Sequence, residues 1–122
     1  LIVTGGLGFI GSNLVYGLNK INQNNIIICD TAIQIKKNYL KKAKYKKIIS
    51  PPSFFYFLKK NKKKIKYIFH LGAITATTSL DFKKLLKNNL EFSIKILKFL
   101  QTLKLYLFIP LAKLHTFMDL IV

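Results

Sequence analysis

Glycine recurs at positions 5, 8 and 11, directly behind the apolar run Leu1, Ile2 and Val3, and that spacing leaves few folds open to the chain. An unbroken apolar run of this kind reads as a short strand buried on both faces, as in the interior of a parallel sheet. A glycine at the first position permits a tight turn closed to other residues. A second lets another group approach the main chain, and a third lets the following helix pack close against the strand. From about Phe9 the pattern becomes helical, with Ile10, Leu14 and Leu18 expected to share one face. The N–H groups that open such a helix, with the positive end of its dipole behind them, favour an anion, and a pyrophosphate is the group this glycine spacing suits. A second apolar strand, 26–29, ends in Asp30. That acid lies about 20 residues beyond the last glycine, the distance at which a carboxylate meets an adenosine ribose.

Composition narrows the reading further. A chain of 122 residues forms one domain at most and is short for a dinucleotide enzyme with its own substrate lobe, so a fragment is expected. With 51% hydrophobic and 13% aromatic residues it should fold despite a formal charge of +17. The charge invites a polyanion-binding reading, but all 21 basic residues are lysine. Arginine, which reads guanine and grips phosphate with a fork, is absent, and abundant Asn, Ile, Phe and Tyr point to a drift toward A/T-rich codons. Nucleic-acid binding therefore ranks below cofactor binding. The single cysteine, Cys29, cannot form an internal disulfide and reads as a buried reduced thiol of a cytoplasmic protein. No secretory signal is visible at the N-terminus.

Beyond Asp30 the stretch 36–47 is lysine-rich and reads as a solvated helix or loop, within which Lys37 is placed to neutralise a 2′-phosphate on the ribose. Ile48 and Ile49 suggest a third strand. Ser50, Pro51, Pro52 and Ser53 mark a helix start, capped by Ser50 or Ser53, and Phe54, Phe55, Phe57 and Leu58 are expected to face the sheet. A further buried strand, 67–73, ends at Gly72 and Ala73. Ligands of open α/β sheets lie beyond the carboxyl ends of strands, so 71–75 should border the nicotinamide side of a dinucleotide. His70 has no acidic or serine partner at readable spacing and reads as a satisfied histidine at a strand end. Ser79 is a candidate helix cap, and Leu85, Leu86, Leu90, Ile94, Leu97 and Leu100 predict a long amphipathic helix over about 81–103. Asn88 and Asn89 are poor helix formers inside it, which suggests a polar contact for at least one. A fifth strand at 105–109 completes an alternating order that implies an α/β fold: a partial Rossmann fold, a parallel sheet with helices on both faces. The apolar stretch 105–122 is interrupted by Pro110, Lys113, His115 and Asp119, so no membrane span is expected. No metal-ligand cluster is expected either.

The assembled residues resemble a known family. Thr4-Gly5-Gly6-Leu7-Gly8-Phe9-Ile10-Gly11-Ser12-Asn13 is similar to the opening of the extended short-chain dehydrogenase/reductases, the NAD(P)-dependent sugar-nucleotide epimerases and dehydratases. Within that group Ile68-Phe69-His70-Leu71-Gly72-Ala73-Ile74-Thr75-Ala76-Thr77-Thr78, followed by Asp81 and Asn88-Asn89, most resembles the ADP-L-glycero-D-manno-heptose 6-epimerases. The resemblance implies a bound NADP, with NAD as the other option, and an ADP-heptose substrate on the route to lipopolysaccharide core. It also implies a homo-oligomer in the intact enzyme. Besides the glycines Gly5, Gly8 and Gly11, it assigns cofactor contacts to Phe9, Ile10, Asp30, Thr31, Lys37, Leu71, Gly72, Ala73, Ile74, Thr75 and Asn88. Pro51 stands near a position the family often gives to lysine.

The resemblance covers about 1–109. The family's acid/base pair, Tyr-x-x-x-Lys, has no counterpart at the corresponding location, so no catalytic residue is assigned and the chain alone is expected not to turn over. Back-translating 108–116 with A/T-favouring codons and shifting the frame by two bases permits Tyr-Thr-Ser-Ser-x-Ala-Thr-Tyr, similar to the family's missing loop. The expected organisation is therefore a dinucleotide-binding part over 1–109 and a divergent or out-of-frame tail over 110–122. Alternatives are another epimerase or dehydratase on the same scaffold, a non-catalytic nucleotide-binding protein and a polyanion-binding protein.

Overall fold

Short apolar strands and the helices between them build a parallel five-stranded sheet in the order β3-β2-β1-β4-β5. The structure is a computed structural model that describes residues 1–31, 37–72, 86–103 and 106–108, with backbone alone at 37–38, 86–88 and 106–108. The strands are β1 (Ile2–Thr4), β2 (Ile27–Cys29), β3 (Lys47–Ile49), β4 (Tyr67–His70) and β5 (Tyr106–Phe108). The helices are α1 (Phe9–Lys20), α2 (Pro51–Asn61) and α3 (Phe92–Leu103). A π-helical turn, Leu86–Glu91, leads into α3, and 3-10 turns occupy Lys37–Leu40 and Lys62–Lys64. The described residues thus form the α/β arrangement the sequence implied.

Alternation along the strands sorts the core into two layers. Ile2, Ile27, Cys29 and Ile68 join Phe54 and Leu58 of α2 and Ile96 and Leu100 of α3 on one side. Val3, Ile26 and Ile28 meet Leu7, Val15, Leu18 and Leu40 on the other, where α1 lies. β1 is central, and all three of its residues are buried. Its register sets Thr4 beside Cys29 on one flank and beside His70 on the other. Each fully buried aliphatic side chain here stabilises the fold by roughly 1.5–3 kcal/mol relative to exposure.

Two helix faces differ from those the spacing predicts. In α1 the buried positions are Gly11, Ser12, Val15 and Leu18, while Ile10 is 67% exposed. Small residues, not the bulkiest ones, face the glycine turn because the helix crosses it at close range. In α3 the buried positions are Ser93, Ile96 and Leu100, continuing the buried Asn89 of the π turn. Leu90, Ile94 and Leu97 are half-buried on its flank. The helix expected from Phe54 instead starts at Pro51, with Ser50 at the N-cap position but making no side-chain capping hydrogen bond. Phe54 and Leu58 are its buried residues, and Phe55 and Phe57 pack partly buried against the same cluster.

Cys29 is the buried free thiol that its strand predicts. Burial, and secondarily the neighbouring Asp30 charge, push its pKa up to about 12. The thiolate is the nucleophile, so iodoacetamide at pH 8 should modify the folded chain at least about 100-fold more slowly than the urea-unfolded chain, read by mass spectrometry. Ionisation favours the unfolded chain between its ordinary value of 9.0 and about 12. The thiol's contribution to stability is accordingly full below 9 and declines as pH rises through that window.

Candidate dinucleotide-binding site

The sheet order reverses at β1: the chain runs outward from β1 through β2 to β3, then returns to lay β4 and β5 on the other side. Such a reversal leaves a crevice at the carboxyl ends of the two strands that flank it, here β1 and β4. Gly5 and Gly72 follow those ends. Their backbones approach so closely that a Cβ on Gly5 would lie 2.6 Å from the Gly72 nitrogen, and Gly5 has φ +69. Both facts demand glycine at position 5. Gly5 N–H donates to the Cys29 carbonyl at 2.8 Å, and Leu71 N–H donates to the Thr4 carbonyl at 3.1 Å, so three neighbouring strand ends are tied at this point.

The three glycines have different physical reasons. A Cβ on Gly11 would collide with the Gly5 carbonyl oxygen and come within 2.7 Å of Gly6 Cα, so the third glycine is required by the packing of α1 on the turn. At Gly8 the backbone is extended (φ −77, ψ 171), and a Cβ would meet only the Gly5 carbonyl oxygen, at 3.3 Å. The fold's own demand for glycine is therefore weaker at position 8 than at 5 or 11. The missing side chain leaves the main chain bare at the start of α1, where no side chain caps the helix and no acid sits in its first turn among the described residues. Bare amides at a helix N-terminus are chemically suited to a pyrophosphate, and this residue set fits a dinucleotide on that ground.

Asp30 reaches from the end of β2 into the same turn. Its Oδ2 accepts the Leu7 N–H at 2.8 Å and its Oδ1 accepts the Thr31 N–H at 2.7 Å. Each carboxylate oxygen keeps a further acceptor site, so the group can brace the turn and still take a ribose hydroxyl. Phe9 is 78% exposed and Ile10 67% exposed, both on the first turn of α1 beside the glycines. Leu71 and Gly72 are half-buried at the end of β4. The structure thus brings together Gly5, Gly8, Phe9, Ile10, Gly11, Asp30, Thr31, Leu71 and Gly72. Lys37 opens the 3-10 turn and Asn88 lies in the π turn, with side chains outside the description. Ala73, Ile74, Thr75, the Ser79 cap and the 110–122 tail fall outside the described residues.

His70 is fully buried and satisfied, as its strand-end position suggests. Its Nδ1 lies 2.6 Å from Thr4 Oγ1 and its Nε2 2.8 Å from Ser93 Oγ. Sequence reading missed Ser93, because a partner 23 residues away is set by the crossing of α3 over β4 and leaves no local spacing signal. Two Tyr-x-x-x-Lys spacings do occur, at Tyr16/Lys20 in α1 and Tyr56/Lys60 in α2. Tyr16 hydroxyl is engaged with the Tyr39 carbonyl and the Lys42 N–H, and Lys60 Nζ sits 4.7 Å from the centre of the exposed Tyr56 ring. Both pairs belong to helix surfaces beside the sheet, away from the strand ends. Among the described residues no cluster of metal-ligating side chains is present, and no helix is long and apolar enough to cross a membrane.

Comparison with known proteins agrees with this geometry. The chain is 37% identical over 112 residues to an ADP-L-glycero-D-manno-heptose-6-epimerase of Brachyspira hyodysenteriae, a match covering 88% of this chain and 35% of that protein. A second of the same name, from Alkalilimnicola ehrlichii, is 34% identical over 96 residues, covering 76% of this chain and 30% of its own length. The chain therefore spans about a third of the length of these curated relatives. Among solved structures, a UDP-N-acetylglucosamine 4-epimerase from Methanobrevibacter ruminantium superposes with a TM-score of 0.69 at 29% identity, covering 85% of this chain and 34% of that one. A UDP-glucuronic acid 4-epimerase from Bacillus cereus, in complex with NAD, shares the fold with a TM-score of 0.72 at 24% identity, covering 88% and 38%. Residues 1–111 match the NAD dependent epimerase/dehydratase family, and the chain belongs to that family.

Proposed function

We propose that this chain is the dinucleotide-binding part of an NADP-dependent sugar-nucleotide epimerase. In its intact form the enzyme would convert ADP-D-glycero-D-manno-heptose to ADP-L-glycero-D-manno-heptose, a precursor of lipopolysaccharide core. The observation that carries the reading is the bare main chain at Gly8, in a turn whose other glycines are consumed by the chain's own packing. The named relatives at 34–37% identity support the heptose substrate. The 29% identical UDP-N-acetylglucosamine 4-epimerase keeps a different sugar nucleotide as the second reading.

In this proposal the amides that open α1 from Phe9 onward, with the helix dipole, hold the pyrophosphate, the Gly8 N–H being taken by the Gly5 carbonyl at 3.1 Å, while the Phe9 and Ile10 side chains cover it. Asp30 and Thr31 orient the adenosine ribose, and Lys37 offsets a 2′-phosphate that Asp30 alone would repel. Leu71, Gly72, Ala73, Ile74, Thr75 and Asn88 border the nicotinamide side. When bound, the nicotinamide supplies reversible hydride chemistry. This chain supplies binding and orientation and no acid or base, so it should bind cofactor without turnover. A reducing, cytoplasmic setting suits the free Cys29 thiol, and the intact enzyme would be a homo-oligomer.

Fluorescence titration tests the reading. NADPH is expected to bind the full 122-residue chain at least about fivefold more tightly than NADH, a difference of about 1 kcal/mol. No binding of either nucleotide would refute the cofactor assignment, and tighter NADH binding would refute the role given to Lys37.

A further inference from the structure

Beneath the crevice runs a buried chain of polar contacts whose proton positions follow from donor counting. Ser93 Oγ lies 2.5 Å from the Asn89 carbonyl oxygen and 2.8 Å from His70 Nε2. A carbonyl cannot donate, so the single hydroxyl proton of Ser93 must lie on the short contact to Asn89. That leaves Ser93 Oγ as an acceptor toward the ring, and Nε2 must carry a proton. At the other end Gly72 N–H donates to Thr4 Oγ1 at 3.1 Å, and Thr4 Oγ1 lies 2.6 Å from His70 Nδ1. With Nδ1 unprotonated, the Thr4 hydroxyl proton has an acceptor. With Nδ1 protonated, Thr4 Oγ1 would accept twice and its own proton, 2% exposed with its residue, would have nowhere to go. Every buried side-chain nitrogen and oxygen among the described residues has a hydrogen-bond partner, and the first arrangement is the one that also gives the Thr4 hydroxyl proton an acceptor.

The donors therefore run one way, from Gly72 N–H to Thr4, to His70, to Ser93, to the Asn89 carbonyl. We propose that His70 is a positioning residue, held as the neutral Nε2–H tautomer, which locks the Gly72 edge of the dinucleotide crevice to the π turn ahead of α3. The contact with Asn89 falls where the π-helical geometry of Leu86–Glu91 gives way to α3, and π turns of this kind concentrate at functional sites. The Phe92 ring lies beside the imidazole, centroids 5.9 Å apart and planes tilted by 39°. Through this chain, the position of the Gly72 amide beside Gly5 depends on a serine on a different element. The inference deepens the dinucleotide reading and rests on it for its effect on binding, while the tautomer stands apart from it.

Nitrogen-15 NMR of the full chain at pH 7.5, with histidine labelled, tests the tautomer without any ligand. The expected result is one imidazole with its proton on Nε2 alone. A proton on Nδ1, or exchange between the two tautomers, would overturn the inference. Ser93→Ala removes the acceptor for Nε2–H, and Ser93→Thr restores a hydroxyl. Ser93→Ala should redistribute the ring proton and weaken NADPH binding about three- to tenfold, with Ser93→Thr recovering both. Unchanged NADPH affinity in Ser93→Ala, measured in a folded variant of altered tautomer, would overturn the positioning role. If the unmodified chain bound no NADPH, the dinucleotide reading and the positioning role would fall together, and the NMR result would still decide the tautomer.

Discussion

Gly8→Val is expected to leave the chain folded and to weaken NADPH binding by at least about tenfold, whereas Gly11→Ala should damage the fold itself. The two substitutions look alike in sequence and differ in what a new side chain meets. At position 8 the extended backbone accepts a β-branched residue, and the one near atom, the Gly5 carbonyl oxygen at 3.3 Å, needs to yield only slightly. The added methyls project where a phosphate would approach the amides. At position 11 the added carbon collides with the Gly5 carbonyl oxygen and crowds Gly6 Cα and the Gly5 carbonyl carbon, and backbone in a braced turn cannot move far enough to clear it. Overpacking of this kind costs about 1–3 kcal/mol or more. Thermal melts monitored by circular dichroism, beside NADPH titrations, separate the two outcomes. A Gly8→Val chain that melts normally and binds normally would mean that no ligand phosphate rests there.

Phe54→Ala should be the most damaging single truncation among the described core positions, lowering stability by about 3–5 kcal/mol. Phe54 is fully buried at the centre of the layer beneath α2 and α3. It packs edge-on to Phe55 at 5.4 Å and stacks on Phe92 at 5.4 Å, while Phe55 meets Phe92 at 5.1 Å. Removing the ring leaves a cavity bounded by two helices and the sheet, and the remaining rings cannot all move in to fill it. A natural domain is stable by only about 5–15 kcal/mol, so this loss takes a large share. Urea unfolding gives the measurement. A loss below about 1 kcal/mol would show that the aromatic cluster collapses around the gap and that the layer is not close-packed.

Much of this architecture is legible in the chain because local chemistry and global fold agree. Glycines at 5, 8 and 11, the apolar strands and Asp30 imply a parallel sheet, and the structure has one, with its strand order reversing at β1. Pro51 and Pro52 mark the start of α2, and Phe54 and Leu58 point inward as their spacing implies. Periodicity misleads where packing needs small or polar groups. It selects Ile10 for the buried face of α1, but only Gly11 and Ser12 are small enough to lie against the turn. It selects Leu90, Ile94 and Leu97 for α3, but the buried line there includes Asn89 and Ser93, because a buried imidazole on β4 needs a hydroxyl across from it. A hydrophobic pattern carries no mark of that demand. The separation of Gly8 from Gly5 and Gly11 is also invisible in one dimension, since it depends on which atoms surround each missing side chain.

The carboxylate at the end of β2 holds two main-chain N–H groups of the chain itself. Exchanging Asp30 for an apolar or basic residue would release the Leu7 amide and slacken the turn at the same moment. Any redesign of nucleotide choice in this scaffold must first provide Leu7 with another acceptor.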